Sequence, residues 1–199
     1  DLTSKMSSFT RELLLESNSG KQYEIIERIS KYEEITDRVE IEIGRYLNHI
    51  ASGNLDVQLA TRIHGMNSAV NSLERIGDIF YQISKNIEKK NAEGFEFSES
   101  QNSQLIEMLD LIDEAFRVMY TNLQKHSHEV TVFEAKEVER KINRKRDEIR
   151  QEHFDTMTHD VEFQIGRSII YNNVFSLLER IGDHILNVTE GISGKYNGF

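Results

Sequence analysis

Leu73-Glu74-Arg75-Ile76-Gly77-Asp78 and, 105 residues later, Leu178-Glu179-Arg180-Ile181-Gly182-Asp183 are the same hexapeptide. A repeat at a fixed offset of about half the chain makes the half-molecule the unit of construction. The same offset pairs Arg62 with Arg167, Asn67 with Asn172 and Ile87 with Ile192. Upstream, at an offset of 106, Glu33-Glu34-Ile35-Thr36-Asp37-Arg38 lines up with Glu139-Arg140-Lys141-Ile142-Asn143-Arg144. Glu33 then corresponds to Glu139, Asp37 to Asn143 and Arg38 to Arg144.

The 199 residues contain no proline, tryptophan or cysteine. Without proline, and with many Glu, Lys, Leu, Ile and Arg, the chain favours long uninterrupted helices, so an all-α protein is expected. Without cysteine, a disulfide framework and a thiolate metal site are both excluded. The longest apolar run, Leu13-Leu14-Leu15, falls far short of the roughly 20 residues that span a bilayer. A formal net charge of −10 argues against nucleic acid as a partner and makes cations the natural ones. The sequence opens on Asp1, not methionine, consistent with a piece of a longer product.

Outward from the hexapeptides, apolar residues recur in steps of three and four. Leu59, Ile63, Met66, Val70, Leu73, Phe80, Ile83 and Ile87 predict a helix over about Leu55 to Lys89; Ile25, Ile29, Tyr32, Ile35, Val39, Ile43, Tyr46 and Ile50 predict its neighbour over Gln22 to Ala51. A shorter opening helix, Thr3 to Ser17, is expected to end with Gly20 as its cap. The second half repeats the order: Ser100 to Lys125, striped by Leu105, Met108, Ile112, Phe116, Met119 and Leu123, then Val132 to Met157, then Val161 to Ile192. Breaks are expected near Gly20, Gly53, Gly94, Glu129 and His159. The expected architecture is two tandem three-helix bundles, residues 1–95 and 96–199, with antiparallel neighbours. The opening helix is about ten residues shorter than its counterpart, so the first bundle looks cut short at its start.

Residues four apart share a helix face, so Glu33 projects with Asp37, Glu74 with Asp78 and Glu179 with Asp183. Carboxylates gathered from neighbouring helices need something positive among them. Two answers are open on the residues alone. Oxygen ligands suit hard cations such as magnesium, calcium, manganese or ferric iron, and paired carboxylates allow a multinuclear cluster. Alternatively Arg38, Arg75, Arg144 and Arg180, which also recur between the halves, neutralise the carboxylates as ion pairs. The glycine in each hexapeptide leaves room for an ion or for close helix approach. His126 and His128 read as a solvated turn, and Arg140, Lys141, Arg144, Lys145 and Arg146, interleaved with acids, as a solvated face. His184 has Ile79 as its counterpart, against a shared role. No Glu-x-x-His pair of the di-metal oxidases occurs. Nor is there a glycine-rich phosphate loop.

Two three-helix repeats, each with Leu-Glu-Arg-Ile-Gly-Asp on its third helix, resemble the PhoU family of phosphate-signalling proteins over about residues 21–195. The resemblance implies the PhoU fold, a regulatory and non-enzymatic role, and iron or zinc clusters on the carboxylate motifs. By position the metal ligands would be Glu33, Asp37, Glu74 and Asp78 in one site, and Glu139, Asn143, Glu179 and Asp183 in the other. Asn143 departs from the acidic pattern and removes one charge from the second site. The stretch Glu33 to Ile50, the short first helix and the missing methionine resemble the PhoU-like module that follows the membrane helices of bacterial sodium/phosphate cotransporters. A transporter domain as partner and a place at the cytoplasmic face of the cell membrane are then implied. The other branch of the resemblance implies a free-standing regulator working with a phosphate ABC transporter and a sensor kinase. A homodimer is compatible with either.

Overall fold

The computed structural model describes residues 2–53, 55–159 and 165–193. Its order is α1 (Leu2–Leu15), α2 (Ser19–Ala51), α3 (Val57–Ala92), α4 (Glu99–Leu123), α5 (Phe133–His159) and α6 (Ile165–Ser193). Among the described residues there is no strand. None of the helices is long and apolar enough to cross a membrane.

The caps explain where the helices start. Asn18 closes α2, its side chain accepting from the Lys21 amide at 3.0 Å; Asp56 does the same for α3 through Leu59 N at 2.7 Å. Ser98 and Gln101 form a capping box at α4. Gly20 is not the end of α1: it lies inside the first turn of α2, because Asn18 caps better than glycine terminates. Gly94 is a true terminator. Its φ of +71° is left-handed, and Phe95 N returns to Lys90 O at 2.9 Å. The turns at Gly53 and Glu129 and the end of α5 at His159 fall where expected. Val161, the expected start of the last helix, lies outside the described residues.

Among the described residues α1, α2 and α3 touch one another, as do α4, α5 and α6, α1 also touches α4, and the most extensive helix contact is that of α3 with α6. These two run antiparallel: Gly65 meets Gly191, and Asn173 donates to Asn86 at 3.5 Å. A Cβ on Gly65 would stand 2.2 Å from the Gly191 carbonyl oxygen, and one on Gly191 would stand 2.6 Å from that of Gly65. The pair therefore sets how closely the long helices approach. Helix α1 adds a polar clasp, with Ser7 Oγ donating to Asp113 at 2.7 Å and Arg11 pairing with Asp110 and Asp113 at 2.8 and 2.9 Å. One apolar core runs through both groups, from Met6, Ile29, Ile76 and Phe80 to Leu105, Ile112, Ile142, Phe175 and Ile181. Tyr171, fully inside, donates its hydroxyl to Gln104 at 2.5 Å, and burial raises the phenol well above its ordinary range.

The expected stripes are buried only in part. Ile25, Ile29, Ile63, Phe80, Ile83 and Ile87 are inside, but Val39, Ile43, Tyr46, Leu59, Met66 and Leu123 are exposed. Among the described residues α2 packs only on α1 and α3, and α1 reaches it near Thr36 and Val39.

Candidate metal centre

The hexapeptide glycine decides the geometry. A Cβ on Gly77 would lie 2.5 Å from Thr36 Oγ1, so only glycine lets α3 press against α2 at this level. Thr36 is buried there and bonds back to Glu33 O at 2.8 Å. On either side of it Glu33 and Asp37 project toward Asp78, and the three residues offer carboxylate oxygens that all lie within 4.8 Å of one another. Asp37 Oδ1 is buried without a hydrogen-bond partner. An acceptor-only oxygen in that state asks for a cation.

The electrostatics agree. Burial, then Asp37 and Asp78, raises the Glu33 carboxyl above its usual range; burial, then Asp78 and Glu34, does so for Asp37. Glu74 is pushed up to about 7 by burial, by the charge of Asp78 and by a hydrogen bond with it, against a lowering by Arg75. Glu74 thus sits beside Asp78, outside the convergent triad. Arg75 is a poor neutraliser: it stays 3.6 Å from Glu74 and 3.5 Å from Asp78, with its side chain 61% exposed. Arg38 bonds to the Glu34 carbonyl oxygen at 3.1 Å instead.

The second half repeats the packing and alters the charge. A Cβ on Gly182 would meet Ile142 Cδ1 at 2.8 Å, the same close approach at the corresponding pair of positions. Asn143 donates to Glu139 through Nδ2 while its Oδ1 is buried and unpartnered, as Asp37 Oδ1 is. Glu179, however, is ion-paired with Arg146, both side chains largely covered. Asp183 is pushed up to about 6 by burial, then Glu179 and Glu139, with Arg146 and Arg180 opposing. Of the eight expected ligands, Glu33, Asp37 and Asp78 converge, Glu74 flanks them, and Glu139, Asn143, Glu179 and Asp183 surround a place already reached by a guanidinium.

Arg146 is the residue that sequence reading misplaced. Read as part of a solvated basic face, it turns inward, with a side chain 19% exposed. The signal was present: at the 106-residue offset Arg146 stands where the first half has Glu40, a reversal of charge beside a ligand position. His126 and His128 form the expected exposed turn, with rings stacked at 5.8 Å.

Residues 1–87 match the family model named PhoU domain. Over that stretch the chain is similar to a PhoU domain. The PhoU fold extends well beyond the matched segment: the crystal structure of PhoU from Pseudomonas aeruginosa overlays 96% of this chain and 88% of its own, with a TM-score of 0.72 and 20% identity. The phosphate transport system regulatory protein PhoU from Streptococcus pneumoniae overlays 96% and 87%, with a TM-score of 0.70 and 20% identity. At that identity the likeness is one of fold. No curated protein matches the sequence significantly.

Proposed function

We propose that this PhoU-fold protein is a non-catalytic regulator of phosphate transport that holds one hard metal ion per chain on Glu33, Asp37 and Asp78. The convergence of those three carboxylates, with Asp37 Oδ1 buried and unpartnered, carries the reading. All three ligands are oxygen, which suits a hard divalent or trivalent ion; such an ion would offset the burial and, after it, the neighbouring charges that raise Glu33 and Asp37. Glu74 would complete the shell or bond to a ligand beside it. The Glu139, Asn143, Glu179 and Asp183 site binds metal weakly or not at all, because Arg146 supplies the positive charge there. A catalytic di-metal role finds no support in the sequence, which lacks the histidine pairs such sites use.

The setting we favour is the cytoplasmic face of the cell membrane, as the PhoU-like part of a sodium/phosphate cotransporter, with the transporter domain as partner. The resemblance of Glu33 to Ile50 to that branch supports it. A second reading, a free-standing regulator acting with a phosphate ABC transporter and a sensor kinase, is favoured by the 96% overlay on the Streptococcus pneumoniae regulatory protein. The parent gene decides between them: several apolar spans of about 20 residues upstream mark the first, and a start codon just before Asp1 the second.

Elemental analysis of protein purified without chelator tests the metal. The unaltered chain is expected to carry about one ion, and Asp37→Asn with Asp78→Asn to lose most of it while the helical circular dichroism persists, since the amides relieve like-charge repulsion. A metal-free wild type whose melting temperature falls on the same substitutions would assign Arg75 as the partner and end the metal reading.

A further inference from the structure

Between α3 and α6 lies a cleft of about 330 Å³, walled by His64, Asn67, Ser72 and Arg75 of α3 and by His184 and Asn187 of α6. Neither α1 nor the start of the chain takes part in it. Every residue that lines the cleft, Ser68 and Asn71 included, is polar or basic, and none is Asp or Glu. In a chain with 34 acidic residues among 199, that wall sets the cleft apart from the carboxylate clusters. Guanidinium, imidazole, hydroxyl and amide groups converge there from two helices, and the formal charge among them is positive. Such a lining suits an anion and repels a cation.

The duplication shows that the fold does not require this polarity. At the 105-residue offset Ser72 corresponds to Leu177, His184 to Ile79 and His64 to Ile169. Leu177 and Ile79 are buried, so the other half closes those places with apolar side chains. Packing α3 on α6 is therefore not what the serine and the histidine serve. His184 is also incompletely satisfied, since its Nδ1 is buried without a hydrogen-bond partner. Burial, then the charges of Arg180 and Arg75, hold its imidazole below the ordinary range, which places one guanidinium near it from each long helix. Arg75 has donors to spare: it stays 3.6 Å from Glu74 and 3.5 Å from Asp78, and a guanidinium carries five N–H groups. Asn71 contributes least. With its amide turned to satisfy its neighbours, it donates to Glu40 at 3.1 Å.

We propose that this cleft binds a tetrahedral oxyanion of the phosphate or sulfate type, held by Arg75, Ser72 and His184 with the amides of Asn67 and Asn187 at its edge. Arg75 supplies the charge and a fork of donors that matches two oxygens of such a group. The Ser72 hydroxyl and an imidazole N–H serve the others. His64, Arg75 and Asn187 stand exposed at the mouth, so the group enters as a free ion or as the head of a phosphomonoester. The site is separate from the Glu33, Asp37 and Asp78 triad and needs no metal ion.

Titration of the isotope-labelled full chain, followed by nuclear magnetic resonance of the Asn67 and Asn187 side-chain amides at constant ionic strength, tests this. Sodium phosphate and sodium sulfate are each expected to give saturable shifts that sodium chloride does not. Glycerol phosphate, titrated in parallel, separates the two sources: binding tighter than that of inorganic phosphate assigns a phosphomonoester, and weaker binding a free ion. Ser72→Leu and His184→Ile install what the other half carries at those places, and each should weaken binding about tenfold or more, the worth of one charge-assisted hydrogen bond. Circular dichroism verifies that both variants fold. Protein treated with chelator should bind as well as untreated protein, and would do so even if elemental analysis found no metal in the wild type. Shifts no larger than those from chloride, or shifts that neither substitution weakens, overturn the proposal. So does binding that chelator abolishes, since the anion is then carried by a metal ion.

Discussion

Arg146 shows how one side chain separates two halves built alike. Glu40 stands at its place in the first half, and the repeat otherwise preserves Glu33 as Glu139, Glu74 as Glu179 and Asp78 as Asp183. A guanidinium paired with Glu179 and Asp147 makes the second cluster self-sufficient. Removing one member of a covered ion pair leaves the other charge uncompensated. Arg146→Gln is therefore expected to destabilise the metal-free protein by about 2 kcal/mol in urea unfolding, half a fully buried pair's cost because both groups keep some water. The loss should be partly restored by millimolar divalent cation. A variant as stable as wild type would mean that Glu179 never depended on Arg146. Raised carboxyls give both clusters a shared signature in pH. Burial and neighbouring charge push Glu74 up to about 7 and Asp183 to about 6, so the folded chain keeps protons that the unfolded chain has released. Groups raised in this way give stability that is full below the ordinary carboxylate range and fades as pH rises through those values. Metal-free protein should show a higher urea midpoint near pH 5 than near pH 8, and saturating metal should flatten or reverse the slope. The opposite slope without metal would contradict the raised carboxyls.

At the scale of elements, much of this was legible in the sequence. Steps of three and four in the apolar residues marked α2, α3 and α4, since period is a property of the local chain, and the repeat supplied the order of the others. The acidic pairs put Glu33 with Asp37, and Glu74 with Asp78, on shared faces, since spacing four fixes a face; which of them converge across α2 and α3 it does not fix. What periodicity does not carry is the neighbour. Val39, Ile43 and Met66 have the same spacing as Ile25, Ile29 and Ile83, yet only the latter have helices on every side. Arg146 turns inward for a reason that lies on α6, in Glu179. Gly65 and Gly191 went unremarked because a lone glycine in a helix reads only as a mild weakening. Their meaning is mutual contact. Gly191→Ala puts a methyl 2.6 Å from the Gly65 carbonyl oxygen, on backbone that cannot swing aside, so α3 and α6 must separate along their length. A loss of about 3 kcal/mol is expected, against a gain of roughly 1 kcal/mol from helix propensity alone. A variant with raised melting temperature would show that the two helices slide past each other freely.

For the whole molecule the question is whether the repeat is also the unit of stability. The halves 1–95 and 96–199 are our division of the chain by its duplicated sequence, and each has three helices. The core does not respect that division: Phe80 stacks on Phe116 with ring centroids 6.5 Å apart, Ala69 packs against Gly191, and Arg11 reaches across to Asp110 and Asp113. Helix α3 belongs by sequence to one half, yet its largest contact is with α6 of the other. Unfolding one half would therefore expose the apolar face of the other, a surface that water penalises at about 25 cal/mol per Å². The chain should unfold as one cooperative unit despite its duplication. Differential scanning calorimetry is expected to give a single transition with calorimetric and van't Hoff enthalpies equal within error, and Met6→Ala in the first half should lower the same transition as Ile142→Ala in the second. Two resolved transitions, each moved by only one of these substitutions, would mean that the α3–α6 contact is a docking interface between independent bundles and not a shared core.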